Sequence, residues 1–142
     1  DFVRTPMAWD TSPHAGFSDT EPWLPLHDDW QTRNVAMQKE NPDSMLAWHR
    51  RLLALRRERR ALSVGDYEPL VTSGSALAFE RVYEGERLLV VANLSGQPQD
   101  VDLDARTGTV LLATPSEREG ERVTGRLTLH ANEAFVAEIQ DR

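Results

Sequence analysis

NPDSMLAWHRRLLALRRERRAL, residues 41–62, splits the 142-residue sequence into two unlike parts. Asn41 reads as an N-cap, Pro42 suits the first helical position, and Asp43 and Ser44 fill a first turn. Met45, Trp48, Leu52 and Leu55 step by 3, 4 and 3, the spacing of one helix face. Leu46, His49 and Leu53 widen that stripe, so His49 is expected to be a satisfied core histidine. The spacing predicts a helix over 42–60. Arg50, Arg51, Arg56, Arg57, Arg59 and Arg60 crowd its second half, where cations offset the helix dipole. Leu52, Leu53, Leu55 and Glu58 interrupt that run, so it is not read as a phosphate-binding surface.

After the helix the pattern changes. Glycines punctuate the chain at strand-plus-turn spacing, and seven short runs of β type lie between them: 66–71, 76–83, 87–94, 99–103, 108–114, 126–130 and 134–139. Ala76, Ala78, Glu80 and Val82 alternate with Leu77, Phe79, Arg81 and Tyr83, so one face is more apolar. Leu88–Val91 is apolar throughout, as suits a strand covered on both faces. This density of strands predicts a small antiparallel sandwich.

Before the helix, residues 1–33 show no clean period. Pro6, Pro13, Pro22 and Pro25 break any long element. Yet Trp9, Phe17, Trp23 and Trp30 make this stretch rich in bulky apolar groups. A helix of about five turns cannot cover them together with its own stripe. The body they pack on is therefore expected upstream of Asp1 or in another chain.

Composition narrows the classes further. No apolar run approaches a membrane span, and no secretory leader pattern is visible. Cysteine is absent, which excludes thiolate catalysis, disulfides and cysteine zinc sites and fits a cytoplasmic setting. Residues 1–62 balance nine acids against nine bases, whereas residues 63–142 carry fourteen against seven. The acidic second part argues against nucleic-acid binding there. His14, His27, His49 and His130 show no metal spacing, so no metal and no cofactor are expected.

The blocks RTPMAWD (4–10), AGFS (15–18), PWLPL (22–26), NV (34–35), NPDSML (41–46), LLALRR (52–57) and GDYEPL (65–70) follow one another along the chain. In order and spacing they resemble the C-terminal part of α-glucosidases and oligo-1,6-glucosidases of glycoside hydrolase family 13. Ala8 stands where that family usually has Gln. The resemblance implies an α+β chain: the tail of a (β/α)8 barrel over 1–62, then an all-β domain over 63–142. Residues 1–33 would belong to the connection between the last barrel strand and the helix, on the face where barrel active sites form. It also implies a retaining glycosidase acting on short α-glucosides through α-1,4 or α-1,6 bonds, or a relative such as a trehalose synthase or sucrose isomerase. A starch-holding or purely structural β-domain is the alternative from another class.

Retaining glycosidases need two carboxylates about 5–5.5 Å apart. In the resembled family these lie upstream, so no catalytic residue is assigned within residues 1–142 and the chain alone is expected to be inactive. Asp1 and Arg4 are the candidate substrate-binding residues, at the pocket rim. Arg4 could orient a carboxylate there, or form an ion pair that fixes the loop. Asp10 is expected to bond loop amides, Asp28 and Asp29 to be solvated acids, and the loop tryptophans to be buried against barrel helices. The uncovered stripe suggests self-association of the isolated chain.

Overall fold

The computed structural model describes residues 4–72 and 74–140, and its helices begin where side chains close their first turns. Helix α1 spans Val35–Glu40 and is capped by Asn34, whose Oδ1 accepts from the Met37 N–H. Helix α2 spans Met45–Glu58, shorter than the expected 42–60. At its start, Asn41 Oδ1 accepts from the Asp43 N–H, 2.9 Å, and makes a local turn around Pro42 instead of a cap. Ser44 caps the helix: its Oγ accepts from the Ala47 N–H, 3.1 Å, and its carbonyl from the Trp48 N–H, 2.9 Å.

At its end, Arg59 is extended and a separate helix α3 runs Arg60–Val64. The break has a cause. Arg59 bonds Glu86 at 3.1 Å and Glu138 at 2.7 Å, while Glu86 Oε2 accepts from the Ala61 N–H at 3.0 Å. His49 is exposed rather than in a core; its Nδ1 lies 3.0 Å from the Met45 carbonyl.

Among the described residues six strands form one antiparallel sheet: β1 (Asp66–Pro69), β2 (Ala76–Tyr83), β3 (Glu86–Asn93), β4 (Gln99–Ala113), β5 (Arg122–Leu129) and β6 (Ala134–Ile139). Their order across the sheet is β1-β2-β3-β6-β4-β5. Six replace the expected seven because 99–103 and 108–114 join into the single long strand β4. A register shift between Asp102 and Thr107 absorbs the joint, with Asp104 at φ 53° and its N–H on Asp102 Oδ1. Glu84 and Gly85 both have positive φ, so β2 and β3 are joined by the two-residue turn that matches strand twist.

The sheet is covered on both faces. Leu89, Val91, Val101, Leu103, Leu129 and Phe135 form the main core. Leu88, Val136 and Ala61 form a second cluster, against which Leu52, Leu55 and Leu62 pack. Leu88–Val91 thus alternates between two cores, as its unbroken apolar run predicts. Each fully buried Leu or Phe side chain contributes about 1.5–3 kcal/mol.

On β2 the buried positions are Ala78 and Glu80, not the bulkier residues beside them. Glu80, 1% exposed, is held by Arg87 of β3 and by Arg106 of β4. Two strands separate β2 from β4 in sheet order, so the sheet curls until those two strands face each other across the core.

By packing, the chain divides into two units, Asp1–Arg50 and Arg51–Arg142. The division falls inside α2 because Leu52 and Leu55 pack on the sheet. Among the described residues of the first unit only Pro6, Ala15, Asn34 and Ser44 are buried. Its described residues are organised by backbone and side-chain polar bonds and form no apolar core among themselves. No helix of the described residues is long and apolar enough to cross a membrane.

Candidate functional site

The loop 4–33 is held by polar bonds that tie the sequence blocks to one another. Asp10 Oδ1 accepts from the Ser12 N–H, 2.8 Å, and from the Ser12 hydroxyl. These two bonds, led by the hydroxyl, hold the Asp10 carboxyl below the usual carboxylate range. A group kept ionised in this way is a poor general acid near neutral pH. Asp10 thus bonds a loop amide, that of Ser12, together with the Ser12 hydroxyl.

The chain then turns through three consecutive left-handed residues, His14 (φ 55°), Ala15 (φ 58°) and Gly16 (φ 64°). Such a run is costly for non-glycine residues. It is held because the Ala15 carbonyl accepts from the Trp9 N–H (2.8 Å) and the Asp10 N–H (3.3 Å), with the Ala15 side chain fully enclosed. A Cβ on Gly16 would come within 2.7 Å of Asp10 Oδ1. The small residues of the AGFS block are thus fixed by the WD of the block before it.

The carbonyls of Ala8 and Trp9 accept from Val35 N–H (3.0 Å) and Ala36 N–H (2.9 Å), the first two donors of α1. Asn34 takes the third and donates its own amide to the Trp30 carbonyl, 3.0 Å, while being almost fully buried. Gln38 passes the linkage on: its carbonyl accepts from Ser44 Oγ (2.6 Å), and its Oε1 from the Leu46 N–H (3.1 Å). The loop, α1 and the start of α2 therefore form one bonded frame. Sequence reasoning missed Asn34, Gln38 and Ser44 in these roles. The signal for Ser44 lay in a serine three residues before the Ala47 amide it caps.

Among the described residues of this unit, one cleft of about 480 Å³ is lined by Ser12, His14, Phe17 and Asp19 among others, and two more bear on the residues singled out above. The first of these two, of about 410 Å³, is lined by Met7, Ala8, His27, Asp29, Arg33 and Gln38. Asp29 is committed there to a hydrogen bond with His27 Nδ1 (2.6 Å) and to an ion pair with Arg33 (3.1 Å). The other, of about 390 Å³, is lined by Arg4, Phe17, Ser18, Glu21 and Trp23 among others. The structure places Arg4 at this second cleft. Asp1, the other residue singled out from the sequence, lies outside the described residues. Trp23 is 84% exposed, and Trp9 and Phe17 are also exposed. Among the described residues no group of three or more His, Asp or Glu side chains could hold a metal ion.

Comparison with known proteins follows this layout. Residues 1–65 match the family model for the α-amylase catalytic domain, and residues 69–136 match that for the maltogenic amylase C-terminal domain. A glucan 1,6-α-glucosidase of Streptococcus pneumoniae is 35% identical over 98% of this chain and 25% of its own length. An oligo-1,6-glucosidase of Halalkalibacterium halodurans is 33% identical over 87% of this chain and 23% of its own. The crystal structure of a trehalulose synthase from Pseudomonas mesoacidophila superposes with a TM-score of 0.89 at 28% identity, covering 97% of this chain and 25% of that one. The chain spans about a quarter of the length of the curated relatives it matches.

Proposed function

Since this chain belongs to the α-amylase family of glycoside hydrolases, as a C-terminal segment, we propose that its parent enzyme hydrolyses terminal α-1,4 or α-1,6 glucosidic bonds of short α-glucosides with retention. The observation that carries this reading is the tandem match: a catalytic-domain model over 1–65, a C-terminal-domain model over 69–136, and glucosidase relatives across both. The first unit supports it physically. A frame of polar bonds with exposed Trp9, Phe17 and Trp23, and no apolar core among its described residues, is suited to lie on a larger scaffold.

In this reading residues 1–62 finish the barrel and 63–142 form the β-domain. The catalytic carboxylates reside in the part of the parent that precedes Asp1, and Asp1 and Arg4 stand at the rim of the sugar pocket. The substrate is an α-glucoside; neither nucleic acid nor a membrane is a partner. The absence of cysteine fits a cytoplasmic enzyme, and the isolated chain self-associates through its exposed apolar groups.

The test is the anomeric outcome. Parent enzyme mixed with isomaltose or maltose should release α-glucose first, as followed by proton NMR before mutarotation. Initial release of the β-anomer, or no cleavage of either sugar, defeats the reading. The likeness to the trehalulose synthase favours one second reading, sucrose isomerisation. Conversion of sucrose to an isomer without net hydrolysis would select it.

A further inference from the structure

Between Met45 and Val64 the sequence holds no glycine and no proline, and its leucines, alanines and arginines favour one unbroken helix. The chain nevertheless bends at Arg59, whose backbone is extended (φ −106°, ψ 103°). In a straight helix residues 56 and 63 lie about 10.5 Å apart along the axis. Here Ser63 Oγ donates to the Arg56 carbonyl at 2.8 Å, so α3 folds back on the end of α2.

Side chains replace the bonds that the bend removes. The Arg56 carbonyl, which in a straight helix accepts from the Arg60 N–H, takes the Ser63 hydroxyl. The Ala61 N–H, which would bond Arg57, donates to Glu86 Oε2 at 3.0 Å. Arg81 closes the other end of α3: its Nη2 donates to the Gly65 carbonyl at 2.6 Å and its Nε to the Ala61 carbonyl at 3.3 Å. A carboxylate thus sits at the start of α3 and a guanidinium at its end, the arrangement a helix dipole favours. Both come from one hairpin, β2–β3, in which Tyr83 pairs with Glu86 and Arg81 with Leu88. The hairpin approaches α3 so closely that a Cβ on Gly65 would lie 2.8 Å from the Val82 carbonyl. Glu138 of β6 adds a second carboxylate on Arg59 at 2.7 Å, and the Arg60 guanidinium lies over the Tyr83 ring at 5.1 Å.

We propose that the bend at Arg59 is imposed by the β2–β3 hairpin and not by the helix sequence. Residues 45–64 are a latent single helix; Glu86 and Arg81 form a template that folds its last turn back and fixes the direction in which α2 leaves the sheet. The β-domain thereby has a positioning role that does not depend on the hydrolase reading.

The test uses the 142-residue chain. In Glu86→Ala the Arg59 Cα shift, read by NMR, should move from the extended toward the helical range. Arg60→Pro is the counter-variant. Proline suits the first position of α3 and keeps residue 59 extended, but it cannot sit inside a straight helix. Added to Glu86→Ala, it should raise the urea midpoint. In the otherwise unaltered chain it should not, since there the bend is already held and the contact with Tyr83 is lost. An unmoved Arg59 shift in Glu86→Ala overturns the template, as does a midpoint that Arg60→Pro lowers equally in both backgrounds. If Glu86→Ala does not fold, the double variant should fold, and its failure to do so overturns the proposal.

Discussion

Glu80 is the residue on which the curled sheet is most exposed to damage. Its carboxylate is enclosed, with Arg87 on one oxygen and Arg106 on the other, and the two arginines come from different strands. Glu80→Gln removes the charge while keeping the shape, leaving two partly covered guanidiniums facing each other. Because both arginines keep about 30% exposure, solvent offsets part of the loss. The expected cost is about 2–3 kcal/mol, read as a lower urea midpoint with unaltered slope. This role is illegible in the sequence. Alternation on 76–83 marks Leu77, Phe79 and Tyr83 as the more apolar face, and nothing local shows that a glutamate two strands away from Arg106 will be neutralised by it. Asp10 is legible, because an aspartate followed by Ser12 in a turn finds its partners within two residues.

Among elements, α2 shows how capping is chosen. Asn41-Pro42 carries every local start signal, yet the helix begins three residues later at Met45. Ser44 wins because its hydroxyl serves twice, accepting from Ala47 and donating to Gln38, which a cap at Asn41 could not do. Ser44→Ala should therefore cost about 1 kcal/mol and reduce helical ellipticity, whereas Asn41→Ala should cost less. A larger effect at Asn41 would return the cap to that residue. The strand count departs from expectation for a related reason. The 99–103 and 108–114 runs are each legible, but Asp104 in the left-handed region continues the strand where a turn is the simpler expectation. Leu88–Val91 is legible because an uninterrupted apolar run needs cover on both faces whatever lies around it.

For the molecule as a whole, the second unit should be able to fold alone, and the first should not. Residues 51–142 include Leu52, Leu55 and Ala61, which close the second cluster over Leu88 and Val136. They should unfold in one cooperative transition. A piece starting at residue 63 lacks that cover and should be less stable by roughly 2–4 kcal/mol, measured by urea denaturation. Equal stability of the two pieces would show that α2 adds nothing to the sheet.

The position of β6 reaches beyond stability. Ala134–Ile139, the latest strand in the sequence, lies in the middle of the sheet and joins β1-β2-β3 to β4-β5. During synthesis the two earlier groups emerge with complementary inner edges open, and neither can close on the other until the ribosome has released this segment. The nascent domain is thus open to strand exchange and in need of chaperone shelter until translation has passed Ile139.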